Sequence, residues 1–333
     1  MASGECIGIF CSALAAACLL TVVLCRLIIP VLRAHHVGQH IFSDYVNEHK
    51  SKEGTPTMGG ICFILPILVL LIPYFIVSAR RQEPSLIGLA LTVCLGVANA
   101  LIGFVDDYTK LSHHENQGLA SWQKFLLQLG VGGLYLWAMT AFCDMSTVVH
   151  IPVLNVSYDL GIWYYFVALL VIVGVVNSTN LTDGIDGLAA SVTLVVCMGL
   201  CVLAAFLSER SVFLLGALMV GGMIGFLVFN YHPAKVFMGD TGSLFIGGIL
   251  VGLGFMMNEP LLLLLMCAVF VLDMLSSLIQ ILSIRLFHRK VFRIAPVHHQ
   301  FQQMRWSEET IVYVFSGVSV LFCVLAVLLG VLF

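Results

Sequence analysis

Long apolar runs separated by short polar stretches organise this chain from end to end. A helix needs roughly 20 apolar residues to cross a bilayer. Ten runs qualify as spans: about 5–33, 59–78, 85–105, 122–142, 161–178, 186–207, 211–229, 242–258, 260–285 and 309–332. The run 260–285 is the least regular, because Asp273, Ser276, Ser277 and Gln280 interrupt it. Polar groups at that depth face a cavity or a neighbouring helix, and a plain hydrogen bond between helices accounts for them as well as a function does.

The polar stretches are not scattered. Numbering the gaps between spans, Thr55–Gly60 closes gap one and Asp106-Asp107 open gap three. The Asn180–Gly187 stretch fills gap five, Asn230–Thr241 gap seven, and His298-His299 lie in gap nine. All are odd gaps, so all emerge on one face, while the even gaps are short or bland. Of the 15 Lys and Arg, only Arg80, Arg81 and Arg210 lie in even gaps. Cytoplasmic loops carry the excess of Lys and Arg, so the odd face is cytoplasmic and both termini are outside. Trp163, Tyr164 and Tyr165 suit an outer aromatic anchor. The expected fold is an all-α polytopic membrane protein of about ten transmembrane helices, a single membrane domain over 1–333 with its active-site loops cytoplasmic.

Composition agrees. Hydrophobic residues make up 60% and charged residues 10%, against about 25% charged in soluble proteins; mean hydropathy is +1.04. A net charge of −3 points to no nucleic-acid partner. The 11 cysteines show no metal spacing and read as small buried hydrophobes. The first run follows no basic segment and is too long for a signal-peptide core, so it reads as a retained span.

Acids are scarce, which makes their grouping informative. Asp106 and Asp107 are adjacent at the expected end of the third span, where the helix dipole disfavours negative charge and favours Lys110. Two such carboxylates stay charged near a cation, and oxygen-only ligands suit Mg²⁺ or Mn²⁺; a solvated helix end is the plainer reading. The stretch Asn177-Ser178-Thr179-Asn180-Leu181-Thr182-Asp183-Gly184-Ile185-Asp186-Gly187 reads as a helix N-terminus able to meet a pyrophosphate. Asn230 to Ser243 places Asp240 in a turn flanked by Gly239 and Gly242, with Phe237 able to stack on a base or anchor at the membrane edge. His298 and His299 follow the basic run Arg289, Lys290 and Arg293, and suit phosphate contact or a proton relay better than zinc. His35-His36 and His113-His114 read as loop residues.

Together, Thr55–Gly60, Asp106–Lys110, Asn177–Gly187, Asn230–Leu244 and Ala295–His299 resemble the polyprenyl-phosphate N-acetylhexosamine-1-phosphate transferase superfamily. Within it they are most similar to the phospho-N-acetylmuramoyl-pentapeptide transferase family, in the family's order and span layout. One departure is Gln300, where the family has a third consecutive histidine. The resemblance implies transfer of phospho-MurNAc-pentapeptide from UDP-MurNAc-pentapeptide to undecaprenyl phosphate, giving lipid I and UMP in the bacterial cytoplasmic (inner) membrane, with Mg²⁺ as cofactor. On that footing Asp106, Asp107, Asp240 and His298 are the catalytic candidates, with Asp240 and Asp107 for the metal. Lys52, Asn180, Asp183 and Phe237 are expected at the nucleotide end, and Lys110, Lys124 and His299 at phosphates. Thr55, Asn177, Asp186, Asn230 and Gly239 complete the substrate-binding expectation. A sister UDP-HexNAc transferase is the neighbouring alternative; an ion-coupled transporter using Asp273 at the midplane is the alternative of another class. Gly247, Gly248 and Gly252 permit a tight contact, including a homodimer contact, without locating one.

Overall fold

A computed structural model describes residues 3–34, 54–113, 118–154 and 156–332. Among these the chain is helical almost throughout: α1 Ser3–Ala34, α2 Ile61–Arg81, α3 Ser85–His113, α4 Ser121–Cys143, α5 Ile162–Thr182, α6 Leu188–Leu207 and α7 Arg210–Asn230. Then follow α8 Gly239–Met256, α9 Pro260–Met266, α10 Ala268–Phe287, α11 Val297–Gln303 and α12 Glu308–Leu332. Ten helices are long and apolar enough to cross a membrane. Leu19, Leu170, Phe206 and Leu321 are largely exposed around the bundle. So much apolar surface belongs in lipid, and the molecule is an all-α, multi-pass membrane protein.

Four boundaries depart from the hydropathy pattern. Helix α3 runs past residue 105 to His113, because Lys110 pairs with Asp106 one turn back and the Thr109 hydroxyl donates to Val105 O. Asp106 and Asp107 are therefore inside a helix, not at its end. Helix α5 continues to Thr182, so Asn177–Thr182 form a helix C-terminus and not the expected N-terminus. The Ser178, Thr179 and Thr182 hydroxyls fold back onto Val175 O, Val176 O and Ser178 O, which lets polar residues ride inside a helix. The expected span 260–285 is divided at Cys267 into α9 and α10, although backbone bonds from Cys267 N to Leu263 O and Val271 N to Cys267 O cross the division. His298 and His299 lie on a short helix instead of a loop.

One even gap is more than bland. Strands β1 (Val148–Ile151) and β2 (Val156–Asp159) form an antiparallel hairpin, with Val148 opposite Asp159 and Ile151 opposite Val156. It follows the end of α4 remote from Lys124.

Helix α8 sits at the centre, against α3 and α5; α7 packs on α1 and α6, and α12 on α6. Close approach of α8 to α3 depends on small residues. A Cβ on Gly248 would lie 2.9 Å from Gly96 Cα, and one on Gly252 would lie 2.5 Å from Thr92 Cγ2. Without a hydrophobic drive between helices in lipid, such packing holds membrane helices together. These glycines are thus spent inside one chain: Gly247 meets Val176 and Thr179 of α5, so none of the three marks a homodimer face.

Candidate active site

The motif stretches meet at one end of the bundle, joined first by backbone. Phe237 N donates to Pro56 O, Gly59 N to Phe237 O and Gly60 N to Met238 O, at 2.8, 2.8 and 3.0 Å. This zips the stretch before α2 to the loop before α8. Asn230 locks the loop's other side: its Oδ1 accepts from Gly187 N at 3.2 Å and its Nδ2 donates to Val236 O at 2.9 Å. Both ends of this amide serve the scaffold.

Asp107 secures α8 to α3. Its Oδ1 accepts from Asp240 N at 3.2 Å, and its Oδ2 accepts from Thr241 N and Thr241 Oγ1 at 3.0 and 2.7 Å. A carboxylate from another helix thus takes the unpaired N–H groups at the α8 start. Gly239, at φ +70°, brings this turn so close that a Cβ there would lie 2.6 Å from Asp107 Oδ2. Asp240 falls in the first turn of α8 and not in a free turn, where the helix dipole favours negative charge.

Around Asp240 the charges alternate. Lys110 Nζ lies 2.6 Å from Asp106 Oδ2 and 3.3 Å from Asp240 Oδ2. Lys124 Nζ lies 2.8 and 2.5 Å from the same two atoms. Asn180 Nδ2 donates to Asp240 Oδ1 at 2.9 Å and to Ser243 Oγ at 2.8 Å. Leu119 N donates to Asp106 Oδ1 at 2.7 Å. Three carboxylates, Asp106, Asp107 and Asp240, bring oxygens within 4.8 Å of one another. Two ammonium groups leave that trio one negative charge in excess. Asp106 is fully buried, and its Oδ2 lies against both ammonium groups. An oxygen-only set of three carboxylates with one negative charge to spare fits a hard divalent cation.

Asp183, just past α5, faces this charge without help. Among the described residues no hydrogen bond reaches its carboxyl group. Burial, then the negative fields of Asp240, Asp107 and Asp186, hold it well above the usual carboxylate range. A second cluster lies beyond. Asp186 Oδ2 accepts from Ala234 N at 3.0 Å and lies 3.0 Å from His232 Nδ1, while Asp186 N donates to Glu308 Oε2 at 3.3 Å. Sequence alone does not single out His232, inside the Asn230–Ser243 stretch read for Asp240 and Phe237, or Glu308, in the polar run Ser307–Thr310 at the start of the last span.

The histidines form a third group. His298 is buried, with Nδ1 2.7 Å from Asp273 Oδ2 and its backbone N donating to Asp273 Oδ1 at 3.3 Å. Thr182, the last residue of α5, donates to Asp273 Oδ2 at 3.0 Å. Asp273 is thus level with the motif end of α5 and fully paired, which removes the feature behind a midplane carrier site. His299 Nδ1 lies 2.7 Å from Gln302 Oε1, and the two imidazoles stand 4.2 Å apart beside Gly184.

Of the remaining expected residues, Asn177 turns away from Asp240: its Nδ2 donates to Gln128 Oε1 and Val173 O, at 2.6 and 2.8 Å, between α4 and α5. Thr55 and Phe237 are half-buried at the zipped loops. Lys52, His35, His36 and His114 lie outside the described residues.

Residues 87–258 match Glycosyl transferase family 4, and residues 52–64 match phospho-N-acetylmuramoyl-pentapeptide-transferase signature 1. A phospho-N-acetylmuramoyl-pentapeptide-transferase of Clostridium perfringens is 38% identical over 300 residues, covering 90% of each chain. The chain belongs to the phospho-N-acetylmuramoyl-pentapeptide-transferase family. One relative so named, from Heliobacterium modesticaldum, is 40% identical over 305 residues, 91% of this chain and 92% of its own. Another, from Staphylococcus aureus, is 37% identical over 317 residues, 95% and 97% respectively. The family match at 87–258 takes in the acidic trio, Lys110, Lys124, Asn180, Asp183, Asp186 and His232, and stops short of Asp273 and the histidines.

Proposed function

We propose that the protein transfers phospho-MurNAc-pentapeptide from UDP-MurNAc-pentapeptide to undecaprenyl phosphate, giving lipid I and UMP for peptidoglycan synthesis. The reaction face is the cytoplasmic side of the bacterial inner membrane. The observation that carries this reading is the alternating cluster of Asp106, Lys110, Lys124 and Asp240, in a chain whose relatives bear this transferase name.

A lipid-phosphate oxygen attacks the β-phosphorus of the donor. The bond from that phosphorus to the oxygen bridging it to the α-phosphorus breaks, and UMP departs with the bridging oxygen. Two anions must approach, so charge neutralisation is the central task. Asp240, with Asp107 and Asp106 alongside, would hold Mg²⁺, whose positive charge would offset the approaching anions. Lys110 and Lys124 exchange part of their carboxylate pairing for phosphate oxygens. Asp106 orients the lipid phosphate; a phosphomonoester with a second pKa near 6 is already largely dianionic, so positioning outweighs base strength. Asp183 and Asn180 meet the nucleotide end, where the uncompensated Asp183 carboxyl favours hydrogen-bond donors on the donor substrate. His298 and His299 reach phosphate oxygens from the other side of Gly184. The substrates reach the site from water and from the bilayer respectively, which places the cluster at the headgroup level.

UMP release by the purified protein, given both substrates, tests the reading. Asp240→Asn is expected to lower turnover at least about 100-fold, the scale of losing one preorganised electrostatic group, and EDTA is expected to abolish it. Near-normal turnover in either case removes Asp240 or the metal from the mechanism. UDP-GlcNAc replacing the donor with equal efficiency would move the protein to a sister activity.

A further inference from the structure

Helix α10 is inverted relative to a soluble helix: it exposes Leu272, Leu278, Ile279 and Leu286 and buries Asp273, Ser276 and Gln280. Each buried polar residue grips the segment that follows the helix. Gln280 Oε1 accepts from Val291 N and Phe292 N at 3.0 and 2.9 Å, and its Nε2 donates to Phe292 O at 2.9 Å. Ser276 Oγ accepts from Val297 N at 3.0 Å. These two hold backbone only. Asp273 also takes a side chain, the His298 imidazole, at 2.7 Å.

That separation fixes the chemistry. Two bare lone pairs would repel at such a distance, so a proton lies between Nδ1 and the carboxylate. Asp273 also accepts the Thr182 hydroxyl, so its oxygens cannot turn away. With Nδ1 engaged, Nε2 is the ring atom left for other work. It is buried and bonds to no protein atom among the described residues, and a Cβ on Gly184 would lie 2.6 Å from it. A buried nitrogen without a partner is costly unless another molecule completes it. Gly184, within the Asn180–Gly187 motif, lies against that nitrogen, with His299 Nε2 also near it.

We infer that Asp273 is the positioning residue for His298: it holds the proton on Nδ1 and turns Nε2 over Gly184 toward the transferred phosphate. A ring that takes up its second proton at Nε2 donates it as a charged hydrogen bond to a phosphate oxygen, with Asp273 balancing the imidazolium. This rests on the transferase reading above.

The test uses full-length protein in lipid nanodiscs, with UMP release as the assay. Asp273→Asn keeps the side chain's size and removes its charge. Its kcat is expected to fall on the order of 10- to 100-fold, as when the partner orienting a functional imidazole is lost, while the donor KM changes less than about threefold. Asp273→Glu restores most of the rate. Adding Asp273→Asn to His298→Gln costs nothing further, since the two act as a unit. Multiplying losses, or a near-native kcat in Asp273→Asn, overturns the inference. A measurement on the unsubstituted protein does not depend on any variant's activity. With histidine rings labelled in ¹⁵N and His298 assigned by its absence in His298→Gln, Nδ1 must carry a proton; a bare Nδ1 overturns the inference. If His298→Gln transfers at the native rate, or the native protein releases no UMP, the transferase role of His298 fails instead, and the ring signal still reports whether Asp273 sets its tautomer.

Discussion

Single residues in this site do more than one task, and Asp107 shows it. Sequence marks it as a metal or catalytic acid; the structure shows both its oxygens accepting from the first turn of α8. Asp107→Asn would keep one acceptor and leave the other position unable to accept N–H groups, so stability as well as turnover is expected to fall. Asp183 carries the opposite strain. Its carboxyl is held well above the usual range by burial and by Asp240, Asp107 and Asp186. The folded state therefore binds this proton more tightly than the unfolded chain. Stability is lost as pH rises from the unfolded value of about 3.9 through the raised folded value. Asp183→Asn, in EDTA without substrate, should raise the melting temperature by roughly 1–3 °C at pH 8 and by less at pH 5, while lowering transfer. Equal shifts at both pH values would contradict this account.

Among elements, α8 decides most. It enters the site with Asp240 in its first turn and then runs between α3 and α5 on small residues. Gly248→Leu would force a branched side chain against Gly96, whose Cα lies only 2.9 Å from the position of the first added carbon. Overpacking of this kind costs about 1–3 kcal/mol or more, and separating α3 from α8 would also part Asp107 from Thr241. Loss of transfer along with a lower melting temperature is expected; an unchanged melting temperature would mean that the helices reseat. Helix α10 teaches a different lesson. Its polar residues were visible in the sequence as interruptions of an apolar run, yet their partners lie in a segment that folds back onto the helix. Helix ends misled for a related reason. The hydropathy of α3 and α5 stops where their polar residues begin, while the helices themselves continue because those residues are satisfied inside the protein.

At the scale of the molecule, the described motif stretches of the odd connections meet at one end, and the hairpin of β1 and β2 lies after the opposite end of α4. The bias of Lys and Arg predicts that the motif end faces the cytoplasm. In a variant without native cysteines, a cysteine replacing the exposed Val153 beside the hairpin should react with an impermeant maleimide on intact cells. One replacing Arg289 should react only after permeabilisation. The reverse pattern would invert the topology. Span number, the common face of the motifs and the family were all legible from sequence alone, because hydropathy and charge bias are sums over local residues and motif spacing is linear. Tertiary structure alone decided that Asp107 caps α8, that Asp240 is shared by Lys110 and Lys124, and that Asp273 answers His298. Those pairings join residues as far apart as 134 positions, and no local sum can specify a partner that only packing brings within reach.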